Sequence, residues 1–167
     1  PASTCSAPSR DWGVQRAFAL RRRVTMDRYG GKNVAGIKMK VLYVDMDNVL
    51  VNFQSGIDQL PDSTVKEFEG RLDDVPNIFA KMLPVDGAIE AYRTLSRHFD
   101  TYILSTSPWE NPSAWSDKLN WVKKYLGDYA YKRLILTHHK NLNHGDYLVD
   151  DRLKNGADRF MGEHIHF

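Results

Sequence analysis

KVLYVDMDNVLVNF, residues 40–53, is the stretch that decides the fold. Val41–Val44 is an unbroken apolar run of β-branched and aromatic residues, which is typical of a strand buried on both faces of a parallel sheet. Asp45 and Asp47 follow directly, where open α/β sheets bind ligands. Because neighbouring carboxylates repel each other, a proton or a cation such as Mg²⁺ is expected between them. Taken alone, the pattern also fits a turn with capping Asp and Asn side chains.

The composition is that of a globular chain of one domain's length. Its 167 residues suffice for a sizeable core, and no apolar run approaches the roughly 20 residues of a membrane span. We therefore expect no membrane partner. The single cysteine, Cys5, excludes an internal disulfide framework and gives no zinc-ligand spacing. This cysteine usage fits a reducing compartment, and we expect the cytoplasm.

The charge is divided unevenly along the chain. Residues 1–36 carry seven Lys/Arg and two Asp, a net charge of +5, whereas residues 37–167 carry sixteen Lys/Arg and nineteen Asp/Glu, a net charge of −3. The basic character therefore belongs to the beginning of the chain. Because the remainder is mildly acidic, we expect no nucleic-acid polymer as a partner.

Residues 1–38 are interpreted as a basic leader that is disordered or not native to the protein. Residues 16–28, RAFALRRRVTMDR, could form a short basic helix like that of an organelle transit peptide, which would indicate an organellar location. Met39, just before the first strand, favours the other interpretation, in which upstream sequence has been added. Residues 39–167 are then the folded core.

Strand and helix patterns alternate after this leader, which predicts an α/β fold with a doubly wound parallel sheet. Residues 54–84 are predicted to form a small helical cap inserted after the first strand. Further strands are predicted at residues 101–105, 133–136, 147–149 and 164–167. Helices are predicted at residues 49–60, in two short pieces within 62–83, at 88–99, and from an N-cap at Ser113 through Leu126, with Trp115, Leu119, Val122 and Leu126 as its core face.

Polar side chains follow four of the predicted strands. Because the carboxyl ends of parallel strands lie along one edge of a sheet, these side chains should converge there. Each alone has a plainer interpretation, such as a solvated lysine or a turn-capping aspartate, and their joint placement is the argument for a site. The residues are Asp45, Asp47, Thr106, Ser107, Lys140, Asp150 and Asp151.

These residue types suit phosphoryl transfer, which depends on positioning and on stabilising charge. Asp45 could attack phosphorus and form an aspartyl phosphate. A cation held by Asp45 and Asp150 would reduce the repulsion between carboxylate and phosphate. Thr106 and Lys140 would hold phosphate oxygens, and Asp47 would protonate the leaving alcohol and then activate water.

The ordered motifs resemble those of a known superfamily. DMDNVLVNF at residues 45–53 is similar to motif I of the haloacid dehalogenase superfamily, and LSTSP at 104–108, Lys140 and LVDDR at 148–152 are similar to its other three motifs. More narrowly, the set from about residue 40 to residue 167 resembles the 5'(3')-deoxyribonucleotidase family. The resemblance implies a Mg²⁺-dependent phosphatase that hydrolyses nucleoside monophosphates through an aspartyl phosphate.

Roles for individual residues follow from the resemblance. It implies that Asp45 is the nucleophile and Asp47 the general acid and base. The metal ligands would be Asp45, Asp150 and the backbone carbonyl of Asp47, with Asp151 supporting the water shell. The phosphate would contact Thr106, Lys140 and Ser107, and the base or sugar would pack near Phe53.

The chain departs from the family pattern in several places. Asn48 replaces a frequent Gly, Asn52 replaces a frequent Asp, and the cap is shorter than in vertebrate members, which affects base selection. The chain also stops directly after the final predicted strand, where relatives usually continue, so we expect a truncated C-terminus. A homodimer is left open.

The sequence also fits functions other than that of a nucleotidase. The same machinery could act on another small phosphomonoester such as a sugar phosphate, or the chain could be an inactive nucleotide-binding sensor. A two-component receiver domain uses similar residues, but its paired acids end the first strand and its nucleophile ends a later one. Intact Asp45 and Asp47 on the first strand favour an enzyme.

Overall fold

A five-stranded parallel sheet forms the centre of the protein in a computed structural model that describes residues 38–167. The predictions for residues 1–37 lie outside the described residues. The strands, in chain order, are β1 (Val41–Val44), β2 (Val51–Asn52), β3 (Leu83–Pro84), β4 (Asp100–Ser105), β5 (Leu134–Leu136), β6 (Tyr147–Asp150) and β7 (Glu163–His166). The sheet order is β5-β4-β1-β6-β7, and every neighbouring pair is parallel. A separate antiparallel pair is formed by β2 and β3.

In the described part of the chain, five α-helices and several single 3₁₀ turns connect these strands. The helices are α1 (Phe53–Ile57), α2 (Asp62–Glu67), α3 (Ile78–Lys81), α4 (Ala88–Leu95) and α5 (Ser113–Tyr125). The 3₁₀ turns are Leu72–Asp74, Gly127–Ala130, Lys140–Leu142 and Ala157–Arg159. Within residues 38–167, no helix has the length and apolar character needed to cross a membrane.

The strand order explains how distant residues reach one edge of the sheet. From β1 in the centre, the chain adds β4 and then β5 on one side, and returns to add β6 and β7 on the other. This reversal beside the first strand defines a doubly wound α/β sheet, so the predicted fold class is confirmed. The carboxyl ends of β1, β4 and β6 are neighbours at the switch point.

Both faces of the sheet are packed, but unequally. Leu42 and Val44 of β1 enter the larger hydrophobic cluster, which α3, α4 and α5 complete with side chains such as Trp121. Tyr43 enters a smaller cluster on the opposite face, where Phe160 covers the sheet. Burial on both faces accounts for the unbroken apolar run of β1.

The predicted helix at residues 49–60 is wrong in its first part. The backbone N–H groups of Leu50 and Val51 both donate to the carbonyl of Met46, which closes a tight turn after β1. β2 then pairs with β3, and α1 begins only at Phe53. Tertiary strand pairing therefore overrides the helical spacing of the apolar residues here.

Residues 62–83 contain more elements than the two predicted helices, because a 3₁₀ turn and β3 accompany α2 and α3. Their apolar side chains join the main core, with Phe79 only 1% exposed. Asn111, before α5, donates from Nδ2 to the carbonyl of Val75 at 2.9 Å. The insertion is therefore fastened to the sheet domain, and the role of residues 54–84 as a cap stays a prediction.

Two helix ends differ from the predictions. α4 ends at Leu95, and the backbone N–H of Phe99 still bonds to the Leu95 carbonyl across a closing turn. Ser113 is the first residue of α5, not its N-cap, because Pro112 occupies the cap position. The Ser113 hydroxyl instead accepts a hydrogen bond from the Asn77 backbone N–H at 2.8 Å, so its capping capacity serves a tertiary contact.

The buried face of α5 also differs from the prediction. Trp115 and Leu119, predicted as core residues, are 39% and 42% exposed, whereas Val122 is buried as predicted. The helix is rotated so that Lys118 and Trp121 point into the protein. A fully buried lysine on a helix is unusual unless it is paired, and the partner of Lys118 is Asp47, one of the predicted site residues.

Candidate active site

The strand ends bring acidic and basic residues together. Asp45 follows β1 and Asp150 ends β6, the adjacent strand, and both carboxylates are buried. Lys140, in the turn after β5, places Nζ 2.9 Å from Asp45 Oδ1 and 2.5 Å from Asp150 Oδ2. The structure thus joins three predicted site residues from separate parts of the sequence, with opposite charges in contact.

A third carboxylate completes an acidic group beside this pair. Oxygens of Asp45, Asp150 and Asp151 all lie within 4.8 Å of one another. Asn48, whose φ of 57° lies in the left-handed region, donates from Nδ2 to Asp151 Oδ2 at 3.2 Å. The three carboxylates face two cations, Lys140 and Arg152, whose Nε lies 3.5 Å from Asp151 Oδ1. One negative charge is left in excess, and hard divalent cations take carboxylate oxygens. The donor set therefore fits such a cation.

Burial and charge shift the pKa values of the Lys140–Asp150 pair. Burial raises the pKa of Asp150, and Asp45 raises it further, although Lys140 lowers it. Burial lowers the pKa of Lys140, but the Asp45 and Asp150 carboxylates together outweigh this effect and leave it raised. Lys140 therefore stays cationic at neutral pH, whereas Asp150 holds a proton more readily than an exposed aspartate does.

A second buried lysine holds Asp47 and was missing from the sequence predictions. Lys118 is 0% exposed, and its Nζ lies 2.7 Å from Asp47 Oδ2. The same ammonium donates to Ser105 Oγ at 3.1 Å and to the Thr106 carbonyl at 2.6 Å. Because a lysine ammonium has three protons, these three acceptors satisfy it completely.

The two oxygens of Asp47 have different surroundings. Oδ2 accepts from Lys118, whereas Oδ1 has no hydrogen-bond partner within residues 38–167. Burial raises the pKa of Asp47, and Asp45 raises it as well, although Lys118 opposes both. A carboxyl group that keeps its proton to higher pH and has one unengaged oxygen is suited to proton transfer.

The two predicted phosphate-binding hydroxyls also differ. Thr106 Oγ1 donates to the carbonyl of Thr137 at 2.8 Å, so its proton is engaged. Ser107 is fully buried, and its Oγ has no hydrogen-bond partner in the described part of the chain. Of the two, the Ser107 hydroxyl is the one whose proton is available to an oxyanion.

Phe53 lies at the start of α1 and is half-buried. Its ring meets Phe79 edge-on, with centroids 5.9 Å apart. The Phe79 ring in turn has the Lys118 Nζ 4.7 Å from its centroid. Phe53 is thus linked to Lys118 through one aromatic ring, and its contact with a substrate stays a prediction.

Comparison with known proteins decides the family. Residues 71–167, more than half of the chain, match the family described as "5' nucleotidase, deoxy (Pyrimidine), cytosolic type C protein". The chain belongs to this family. The type C 5'-nucleotidases have the haloacid dehalogenase fold, so the resemblance proposed from the motifs is confirmed. The chain is accordingly a phosphoric monoester hydrolase.

Individual relatives extend the match over most of the chain. A protein of Vibrio phage KVP40 that carries the name 5'(3')-deoxyribonucleotidase is 63% identical over 127 residues, covering 76% of this chain and 75% of that protein. The human cytosolic 5'(3')-deoxyribonucleotidase is 27% identical over 155 residues, covering 74% and 77%. The human mitochondrial one is 28% identical over 152 residues, covering 74% and 67%.

Within this type C nucleotidase fold, the sequence predictions named the polar residues at the strand ends but did not name Lys118 on α5. Lys118 lies four residues after Ala114 and three before Trp121, and all three are buried. Residues at these spacings share one face of a helix. A lysine that shares a helix face with a small and an aromatic residue was therefore the sequence signal for a functional lysine. Lysine is rarely buried without a charged or polar partner.

Proposed function

We propose that this type C 5'-nucleotidase is a Mg²⁺-dependent phosphatase of nucleoside monophosphates, with deoxyribonucleotides as its expected substrates. The observation that carries the proposal is the convergence of Asp45, Asp150 and Lys140, with Lys140 Nζ 2.9 and 2.5 Å from the two carboxylates. This cluster supplies a nucleophile, a cation site and a fixed positive charge at one sheet edge. The names of the relatives support a nucleotide as substrate.

In the first step, a carboxylate oxygen of Asp45 attacks phosphorus. The new bond gives an aspartyl phosphate as the bond between phosphorus and the nucleoside oxygen breaks. Asp47 donates its proton to that departing oxygen, which leaves as the alcohol. Lys140 and the Ser107 hydroxyl hold the phosphoryl oxygens, with Thr106 beside them, because these groups carry the positive charge and the available proton at the strand ends.

In the second step, water attacks phosphorus of the aspartyl phosphate. Asp47, now a carboxylate, accepts the proton of that water, which is why one residue serves as acid and then as base. The bond between phosphorus and the Asp45 oxygen breaks, inorganic phosphate leaves, and Asp45 is regenerated. The unengaged Oδ1 of Asp47 suits this exchange, since Oδ2 is held by Lys118.

The proposed Mg²⁺ would be held by Asp45, Asp150 and the backbone carbonyl of Asp47, with Asp151 supporting its water shell. When bound, the cation would offset the negative charge of the phosphoryl group and of the surrounding carboxylates. The three carboxylates of this cluster exceed its two cations, Lys140 and Arg152, and this excess negative charge supports the proposed cation.

A phosphate-release screen tests the proposal. Purified protein is offered deoxyribonucleoside and ribonucleoside monophosphates and a set of sugar phosphates, each with Mg²⁺ and with a chelator. We expect release from nucleoside monophosphates that stops when the cation is removed. Release from sugar phosphates alone would assign the site to another phosphomonoester, and undiminished release in chelator would overturn the role of Mg²⁺.

A further inference from the structure

We propose that Lys118 is a positioning residue of the phosphatase reaction, which holds one oxygen of Asp47 so that the other remains available to the reacting group. The inference rests on the proposed function, in which Asp47 is the general acid and base. It assigns a mechanistic role to a lysine on α5, away from the strand-end motifs.

The contacts of Lys118 form a fixed frame. Its Nζ lies 2.7 Å from Asp47 Oδ2, 2.6 Å from the Thr106 carbonyl and 3.1 Å from Ser105 Oγ. These three acceptors engage all three protons of the ammonium, and the ammonium in turn holds the Asp47 carboxylate. Asp47 Oδ1 has no hydrogen-bond partner among residues 38–167. One carboxylate oxygen of Asp47 is therefore held by Lys118, and the other is available for a hydrogen bond.

The hydrogen-bond partners of Lys118 belong to the two parts of the site that are proposed to transfer the proton and to bind phosphate. Asp47 is the proposed proton-transfer residue, and Thr106 lies in the loop that also contains Ser107. A single ammonium thus ties the β1 loop to the end of β4. The Phe79 ring of the insertion packs 4.7 Å from the same Nζ, a cation–π distance. The frame fixes the proton-transfer group relative to the loop expected to bind phosphate.

Burial alone does not account for a lysine at this position. A fully buried ammonium carries a desolvation penalty that an apolar side chain of similar length avoids. Its neighbours on the helix face, Ala114 and Trp121, belong to the hydrophobic core, so an apolar residue would fit there. The ammonium is also not free to bind substrate, because its three protons are engaged by protein acceptors. Lys118 must therefore act through Asp47.

The test compares substrates that differ in their need for the proton of Asp47. A nucleoside oxygen is a poor leaving group and must be protonated, whereas p-nitrophenolate leaves without a proton. The variant Lys118→Met keeps the apolar stem and removes the ammonium. Lys123→Met is the matched control, because Lys123 is an exposed lysine on the same helix.

The readout is the rate of the first step, measured as single-turnover release of nucleoside and as the burst of p-nitrophenolate. We expect Lys118→Met to slow nucleoside release roughly 10²-fold, the lower end of general-acid effects. The p-nitrophenolate burst should slow by less than about tenfold, with KM little changed for either substrate. Lys123→Met should match the unaltered protein on both substrates.

Equal losses on the two substrates, or no loss on either, would overturn the inference. If Lys118→Met does not fold, Ser105→Ala decides the question, because it removes one of the three acceptors and should give a smaller loss confined to nucleoside release. An unchanged ratio of the two rates in Ser105→Ala would then refute the positioning role. Failure of the unaltered protein to hydrolyse either substrate would instead refute the proposed function itself.

Discussion

Lys140 and Lys118 are two buried lysines at the same edge of the sheet, yet their surroundings differ. Lys140 comes from a loop and contacts two carboxylates, those of Asp45 and Asp150. Lys118 comes from a helix and contacts one carboxylate, one hydroxyl and one carbonyl. Two acceptors leave Lys140 a third proton for a phosphate, whereas three acceptors leave Lys118 none.

The difference divides the site into two halves. The Lys140 half contains Asp45 and Asp150 and is where nucleophile and cation are proposed to act. The Lys118 half contains Asp47 and is where proton transfer is proposed to take place. The two aspartates of the DMD motif, Asp45 and Asp47, are separated by Met46, and each contacts a different lysine. Substitutions in the two halves should therefore impair the reaction in different ways.

Substitution Asp45→Asn in the Lys140 half should have the largest effect. An amide cannot attack phosphorus, so we expect a loss of turnover of roughly 10³-fold or more. The melting temperature should stay the same or rise, because Asp45 is one of the charges that raise the pKa of Asp150 and of Asp47. Steady-state assays and thermal unfolding check both points, and normal activity would show that Asp45 is not the nucleophile.

Substitution Asp47→Asn in the Lys118 half should be damaging in another way. Proton transfer typically contributes about 10²- to 10⁴-fold, and a good leaving group bypasses the first transfer but not the second. With p-nitrophenyl phosphate, the variant should therefore accumulate phosphorylated Asp45. Intact-mass measurement after rapid quench checks this, with Asp45→Asn as the control that cannot form the adduct. Absence of any adduct under these conditions would remove the support for separate roles.

The sequence analysis named Lys140, Asp45 and Asp150 but not Lys118, for a physical reason. Strand ends follow from local apolar runs, and the parallel topology brings those ends together, so Lys140 could be placed from its loop. The position of Lys118 depends on which way α5 turns, and its apolar stripe was assigned to Trp115 and Leu119, which are exposed. Rotation of a helix is decided by tertiary packing.

The β2–β3 pair was missed for a related reason. The two residues of β2 become a strand only because Leu83 and Pro84 pair with them from the far end of the insertion. The local spacing of apolar residues around β2 fits a helix, and α1 does begin directly afterwards at Phe53. Contacts between distant segments, which a local pattern does not contain, decided both this strand and the orientation of α5.

A pH series with and without Mg²⁺ should produce a moderate effect specific to the Lys140 half. The folded-state pKa of Asp150 is raised by burial and by Asp45. Without the cation, protonated Asp150 stabilises the fold at low pH, and this contribution is lost as pH rises through the folded pKa. Bound Mg²⁺ requires the deprotonated form. The rise in melting temperature on adding Mg²⁺ should therefore grow as the pH rises through the folded-state pKa of Asp150.

Asp150→Asn is the control for the pH series. It removes one cation ligand and its titration together, so the Mg²⁺-induced rise should be small and nearly independent of pH. Asp117→Asn tests specificity, because Asp117 is also a buried aspartate with a raised pKa, caused by burial, but lies on α5 outside the acidic group. A full Mg²⁺ response in Asp150→Asn would contradict the proposed ligand set.

The smallest expected effect concerns Phe53, whose ring contacts Phe79, the ring that packs against Lys118. If its ring contacts the nucleoside, Phe53→Ala should lower kcat/KM for nucleotides by the equivalent of about 1–3 kcal/mol, by analogy with base–aromatic stacking. Turnover of p-nitrophenyl phosphate, which has no nucleoside, should change little.

A purely structural role predicts a different result for Phe53→Ala. Loss of an edge-to-face ring pair costs about 0.5–1.5 kcal/mol beyond the buried area, and displacement of Phe79 would disturb Lys118 for both substrates alike. Leu60→Ala is the matched control, since Leu60 packs half-buried against the same core and has no assigned contact with substrate. Its melting temperature gives the cost of a cavity in this segment. A loss on nucleotides beyond that of Leu60→Ala would place Phe53 against the nucleoside. Equal losses on both substrates would show that Phe53 is a core residue, which supports Lys118 by packing against Phe79.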